Sequence, residues 1–367
     1  MLVGAAVLAV SLVGCGGVTS KSSRPAECEV SIGFFGATTG DYAGLGQNIR
    51  QAVELAVRQH EAEANPCHVR LKTFDSQADP AQAPALAKKA IDTQDLVGLV
   101  GPAFSGESKA AGPLLNEAGL PWVTTATNPA LASNGWTTFH RVLGNDATQA
   151  PAAVRYLISS GARRVFVVDD ASEYGSGLAD IVRDQLAKAA VGHDTVQAKQ
   201  TDFSSTVIKV QAAHVDSVYF GGYYAEAGLL LRQLRQAGVR ARFVSDDGAK
   251  DPAMIETAGA DAAEGSVVTC PCIPAERAKT FASAYRAAYH RDPGTYGAES
   301  YDGAKALLAG IDAGATDRAA LNRFLGTFRA NGAAGQVGWR SDGEPLDPTV
   351  WAYEVRGGAF TPLRPLG

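Results

Sequence analysis

Residues 30–74 read VSIGFFGATTGDYAGLGQNIRQAVELAVRQHEAEANPCHVRLKTF, and this stretch decides the fold. Val30–Phe35 is almost wholly apolar, the pattern of a strand buried on both faces. Between Gly44 and His60, Ile49, Ala52, Val53, Ala56 and Val57 recur at steps of three and four, one stripe of a helix. Val69–Phe74 is a second strand. A helix-length segment between two apolar strands predicts a parallel βαβ unit.

Working outward, the unit repeats. Asp79-Pro80 is expected to cap and start a helix carrying Leu86, Ala87, Ala90 and Ile91 on its inner face. Leu96–Val100 is the third strand, a helix follows from about Gly106 to Ala118, and Trp122–Thr124 is a short strand. The pattern restarts after Thr138–Val142. Helices are expected over Thr148–Ser159, Gly177–Ala190, Ala225–Gln236, Asp251–Ala258, Ala275–His290 and Ala298–Ala313. Strands are expected at Arg164–Val168, Val218–Phe220, Ala241–Ser245 and Gly265–Thr269. At the end, Val337–Trp339, the turn Ser341-Asp342-Gly343 and Val350–Val355 read as strand, turn, strand. No long linker interrupts this α/β series, so two domains joined by several short crossovers are expected.

Composition narrows the function. The chain has 367 residues, 46% hydrophobic and 19% charged, which suits two folded domains. Its 33 Lys+Arg against 38 Asp+Glu leave a formal charge of −5 and no basic stripe, so no nucleic-acid partner is expected. Six His without clustered thiol or imidazole spacing predict no metal site. No cofactor is expected either. Gly33-Phe34-Phe35-Gly36 lacks the dinucleotide fingerprint, and neither a P-loop nor a nucleophile elbow occurs. His140 beside Arg141 reads as structural, and Asp169-Asp170 at a strand end as a turn or cleft lining. No catalytic residues are expected, and the chain is not read as an enzyme.

Residues 1–14, MLVGAAVLAVSLVG, form an apolar run shorter than the about 20 residues a membrane span requires. With Leu12-Val13-Gly14-Cys15 it resembles the signal and lipobox of bacterial lipoproteins, although no Lys or Arg precedes it. That resemblance implies cleavage before Cys15, lipid on its sulfur, and a tether over residues 15–28. The protein would then stand on the outer face of the cytoplasmic membrane, where disulfides are permitted. Cys28 and Cys67 each precede an apolar stretch. If those are neighbouring parallel strands, both thiols sit at one sheet edge and a bridge is expected. Cys270 and Cys272, separated by Pro271, could form a tight disulfide, a redox pair or two buried thiols; the disulfide is favoured.

Several strings in order, Gly33–Gly36, Val100–Gly106, Thr125–Pro129, Asp170 with Glu173-Tyr174-Gly175, Gly221-Gly222-Tyr223, Asp246-Asp247-Gly248 and Tyr301-Asp302, resemble the substrate-binding lipoproteins of branched-chain amino acid ABC importers. These have the type I periplasmic binding protein fold. The resemblance implies two Rossmann-like lobes: residues 29–144 with 273–340, and 145–272 with 341–367. Ligand lies in the cleft between them, and the lobes close over it. It also implies a monomeric receptor that passes a branched-chain or similar apolar amino acid to membrane permease subunits. A sensor feeding a signalling partner, or a receptor for an amide, urea-like or aromatic acid ligand, are the alternatives.

Physical chemistry says what such a site needs. Closing two lobes over a zwitterion strips water from both charges, so each needs a partner. Ser105-Gly106 lies between strand and helix, where backbone N–H groups are free to meet a carboxylate. Thr125, Ala126 and Thr127 follow the next strand, with Thr125 expected to act more through its backbone. Asp247, rather than Asp246, is expected to face the ammonium, and Tyr174 and Tyr223 to cover the ligand from the second lobe. Tyr42, Leu45, Phe104 and Tyr296 are the candidates for the side-chain wall. At Leu45 the leucine-type receptors carry an aromatic, so this chain departs from them there. Trp122, inside a strand, is expected to pack in the sheet.

Overall fold

A computed structural model describes residues 1–2, 28–63 and 67–366; Cys15 and residues 15–27 of the tether lie outside the described residues. The first half of the chain alternates β1 (Glu29–Gly36), α1 (Ala43–Glu61), β2 (His68–Asp75), α2 (Ala83–Asp92), β3 (Leu96–Val100), α3 (Ser105–Glu117), β4 (Trp122–Thr124) and β5 (Phe139–Arg141). Their strands form one parallel sheet in the order β2-β1-β3-β4-β5. Every residue of β3 is buried, as both-face coverage by helices requires. The bulky core of β4 includes Trp122, fully buried against Phe139 and Trp136.

The second series runs α4 (Asp146–Ser159), β6 (Val165–Asp169), α5 (Glu173–Leu186), β7 (Ala190–Thr195), α6 (Ser204–Ala212), β8 (Ser217–Gly221), α7 (Tyr224–Gln236), β9 (Arg242–Ser245), α8 (Pro252–Ala258), α9 (Ala260–Ala263) and β10 (Val267–Cys270). The chain then returns to the first sheet with α10 (Lys279–Tyr289), α11 (Gly297–Asp312) and α12 (Arg318–Thr327), which pack against α1 and β3. A small pair, β11 (Arg329–Asn331) and β12 (Gln336–Gly338), follows, and β13 (Trp351–Arg356) and β14 (Ala359–Pro365) end the chain. The second sheet has the order β14-β13-β10-β9-β8-β6-β7, parallel except for β13 and β14.

Two local expectations are corrected. The tail is not one hairpin: β12 pairs with β11, while β13 pairs with β10 and β14. The turn at 341–343 does fold the chain back, bridging Trp339 to Pro345, but β13 then crosses to the second sheet. Asp79 does not start α2 either. Its carboxylate accepts from Ala81 N–H in a turn, and α2 begins at Ala83. The edge elements β7, α6, α12 and β14 escaped the sequence reading because their partly exposed faces lack a continuous apolar run.

Three chain crossings join the two sheets: after β5, after β10 and after β12. They meet at Gly144, where an added Cβ would lie 3.1 Å from Pro348 and 3.3 Å from Pro271. Disulfides join Cys28 to Cys67 ahead of the parallel pair β1/β2, and Cys270 to Cys272 where β10 leaves the second lobe. Among the described residues no helix is long and apolar enough to cross a membrane, and no cluster suits a metal ion.

Candidate ligand site between the lobes

The loops at the carboxyl ends of β3 and β4 face those after β6, β8 and β9 across the cleft. A narrow chamber lies between them, lined by Leu45, Ala103, Phe104, Ser105, Thr125, Ala126, Thr127, Tyr174, Tyr223, Asp247, Gly248 and Tyr296. The position outside the strand ends is where open α/β sheets take ligands.

The floor in the first lobe is the start of α3. Phe104 occupies the N-cap position, and no side chain caps the helix. Its first N–H groups therefore have no capping oxygen, which suits them to an anion. The approach to this turn is tight: at Gly101, with φ of +108°, a Cβ would meet Phe35 O at 2.0 Å. Ser105 is buried, and its Oγ accepts from Asn128 N–H at 3.3 Å. The Thr125 hydroxyl donates to Ala103 O at 3.1 Å, which leaves its backbone for a ligand. Arg141 braces the second loop from behind. Fully buried, its guanidinium donates to Ala126 O, to Asn128 O at 3.0 Å, and to both carboxylate oxygens of Glu344 at 3.1–3.2 Å.

The opposite wall is acidic. Asp247 opens a short helical turn after β9 and is 1% exposed. Tyr174 Oη donates to its Oδ1 at 2.9 Å, and Tyr296 Oη, from the first lobe, donates to Oδ2. Gly248 N–H in turn donates to Tyr174 Oη at 3.1 Å. Burial pushes the Asp247 carboxyl up to about 6, against the pull of hydrogen bonds from Gln149 and Tyr174. Asp246 is raised further, by burial and by the Asp247 charge, while its Oδ2 accepts from Gly222 N–H. Tyr296 holds a left-handed backbone, φ 66°, at the start of α11. That conformation is costly for an aromatic residue and aims its phenol across the cleft.

Aromatic rings roof the chamber. The Tyr223 ring centroid lies 5.1 Å from that of Tyr174, tilted, and 5.5 Å from that of Phe104, edge to face. Leu45 completes an apolar side. Two expected residues sit elsewhere. Tyr42 lies one ring further out, 4.6 Å from Tyr223, and its hydroxyl donates to Glu226 of the second lobe at 3.1–3.2 Å. Gly106 faces an outer part of the cleft shared with Pro80 and Glu173. There Lys109 pairs with Glu173 across the lobes at 2.9 Å.

Sequence reading missed the supports: Arg141, Glu344, Asp146, Glu226 and Lys250. Lys250 is partly buried with its Nζ 4.3 Å from the Tyr353 ring centroid, and desolvation lowers its amine to about 8. Only the Asn145-Asp146 pair carried a local signal, a helix-start pattern, and the helix was read as starting two residues later.

A closable cleft with an uncapped helix end on one side and a buried carboxyl on the other defines a solute-binding protein. The chain matches the periplasmic binding protein family over residues 29–359, and it belongs to that family. It is 30% identical over 348 residues to an amino acid binding protein of Pseudomonas aeruginosa, covering 91% of this chain and 93% of the relative. It is 29% identical to the Leu/Ile/Val-binding protein of Escherichia coli K12, covering 91% and 92%. Among solved structures, the leucine-binding protein LivK of Thermotoga maritima superposes with a TM-score of 0.85 at 28% identity, covering 92% and 99%. Membership of the family implies an extracytoplasmic address, which accords with the two disulfides.

Proposed function

We propose that this chain is the extracytoplasmic receptor of an ABC importer that binds a branched-chain or similar apolar amino acid between its lobes and delivers it to a membrane permease. Asp247, buried opposite the uncapped start of α3, carries the reading. One wall is complementary to a carboxylate, the other to an ammonium, and Leu45, Phe104 and Tyr223 offer an apolar side chain its surroundings. Relatives named for leucine, isoleucine and valine support the same ligand class. The apolar run before Cys15 supports a lipid anchor on that cysteine, with the monomer held at the membrane.

Closure follows from the contacts that span the cleft. Tyr296 to Asp247, Tyr42 to Glu226, Gly44 N–H to Tyr224 Oη at 3.2 Å and Asn128 Nδ2 to Glu173 O at 3.0 Å each join one lobe to the other. A ligand that bridges the walls adds to these contacts only in the closed state, so it shifts the population toward closure.

The test is calorimetric titration with leucine and with 4-methylpentanoate, its analogue without the amine. Asp247→Ala should cost leucine roughly 2–5 kcal/mol, the range for losing one partner of a buried charge pair, and the analogue far less. Equal losses for both ligands sink the assignment.

A further inference from the structure

Asp146 begins α4, at the point where the chain enters the second lobe. It is fully buried, and neither carboxyl oxygen has a hydrogen-bond partner of good geometry, although the Thr127 hydroxyl lies close enough to favour its charge. Native structures seldom leave such a group idle. Its backbone N–H donates to Thr127 O at 2.9 Å, so it is tied directly to the loop that lines the chamber.

The groups around it come from every neighbouring element. Asp247 acts on it from the turn after β9, Tyr174 from α5 and Tyr219 from β8, while Asp246 adjoins Asp247 and Gln149 of α4 reaches toward Asp247. Arg141 of β5 faces it too, with Glu344 and Asp342 behind. Asp246 Oδ1, Gln149 Oε1 and Tyr219 Oη are likewise unpartnered. Arg141 is engaged by Glu344 and two main-chain carbonyls. Three buried carboxyls thus share one region in which the nearby cation is already committed.

We propose that Asp146 is a second carboxyl of the ammonium site, a positioning residue that acts through Asp247 and releases its proton to solvent when a ligand's ammonium docks. The inference rests on the amino-acid reading above. Charge balance gives the reason. In the free protein Asp247 is the readier of the two to ionise, and Asp146 keeps its proton. When a cation arrives, the Asp146 O–H bond can break without adding net buried charge, because one positive charge enters as another leaves. Burial and the Asp247 charge raise the Asp146 carboxyl to about 8, which accords with a proton held at neutral pH.

The experiment is leucine titration of the full chain by calorimetry at pH 7.5, in phosphate and in Tris, whose ionisation heats differ widely. Coupling predicts an enthalpy difference equivalent to roughly half a proton or more released per ligand. It also predicts affinity that rises several-fold from pH 6 to pH 8. Asp146→Asn should abolish the buffer dependence and flatten the pH profile, with leucine still bound. Leucine binding with equal enthalpy in both buffers overturns this inference alone, and needs no variant to fold. Buffer dependence that survives in Asp146→Asn overturns it as well. Absence of binding by any amino acid overturns the receptor reading and this inference together.

Discussion

Replacing Arg141 with Met should destabilise the protein far more than its single side chain suggests, and replacing Glu344 as well should recover much of the loss. The Arg141 side chain is 0% exposed and that of Glu344 5%, so water screens neither charge. Three of the Arg141 contacts reach the Glu344 carboxylate and two reach the carbonyls of Ala126 and Asn128. Removing the guanidinium strands a buried carboxylate, which costs about 3–5 kcal/mol. Converting the pair to Met and Leu removes the stranded charge, and such replacements are often neutral or better. Glu344 also accepts from Asn145 Nδ2 at 3.0 Å, so the double variant keeps a smaller deficit of about 1 kcal/mol. Urea unfolding of the three variants closes a double-mutant cycle. The reasoning fails if Arg141→Met costs less than about 1 kcal/mol, or if adding Glu344→Leu lowers stability further.

Two further outcomes are expected. The Cys28–Cys67 bridge spans 39 positions, and the chain-entropy relation gives it about 4 kcal/mol; replacing both cysteines by Ala should lower unfolding stability by that order, and a loss under 1 kcal/mol contradicts it. Stability should fall as pH rises from about 5 to about 8, because burial raises Glu107 and Asp146 to about 8, Asp170 and Glu299 to about 7, and Asp247 and Asp302 to about 6. Over that window the unfolded chain has lost protons that the folded chain keeps, so ionisation favours unfolding. Asp75, Asp95 and Asp194 act oppositely, since their lowered pKa withdraws stability only as pH falls below about 4, and His140, which burial lowers to about 4, opposes the six carboxyls below its unfolded value of 6.5. Thermal midpoints should therefore peak near pH 5 in the ligand-free protein, and a steady rise toward pH 8 refutes the assignment.

Much of the fold was legible because periodicity is a local property. The apolar run of β1 and the stripe of α1 both record burial on a sheet, and the structure returns them with ends shifted by a residue or two. The chamber loops were legible for a related reason: Ser105, Thr125 and Asp247 each lie in the loop, or the first helical turn, after a strand, and the fold gathers the ends of parallel strands. The tail misled because pairing is not local. A turn at 341–343 looks alike whether the next strand folds back or crosses to another sheet.

The sequence by itself determined the alternation of strands and helices, the absence of a nucleotide motif and the polar groups that follow the strands. Only the tertiary structure decided that Tyr296 reaches Asp247, that Tyr42 stands outside the chamber, and that Arg141, Glu344 and Asp146 share buried ground beneath it. Arg141 and Glu344 lie 203 positions apart. Their charges acquire a role only once the crossing strands remove them from water, and no local pattern of residues encodes that removal.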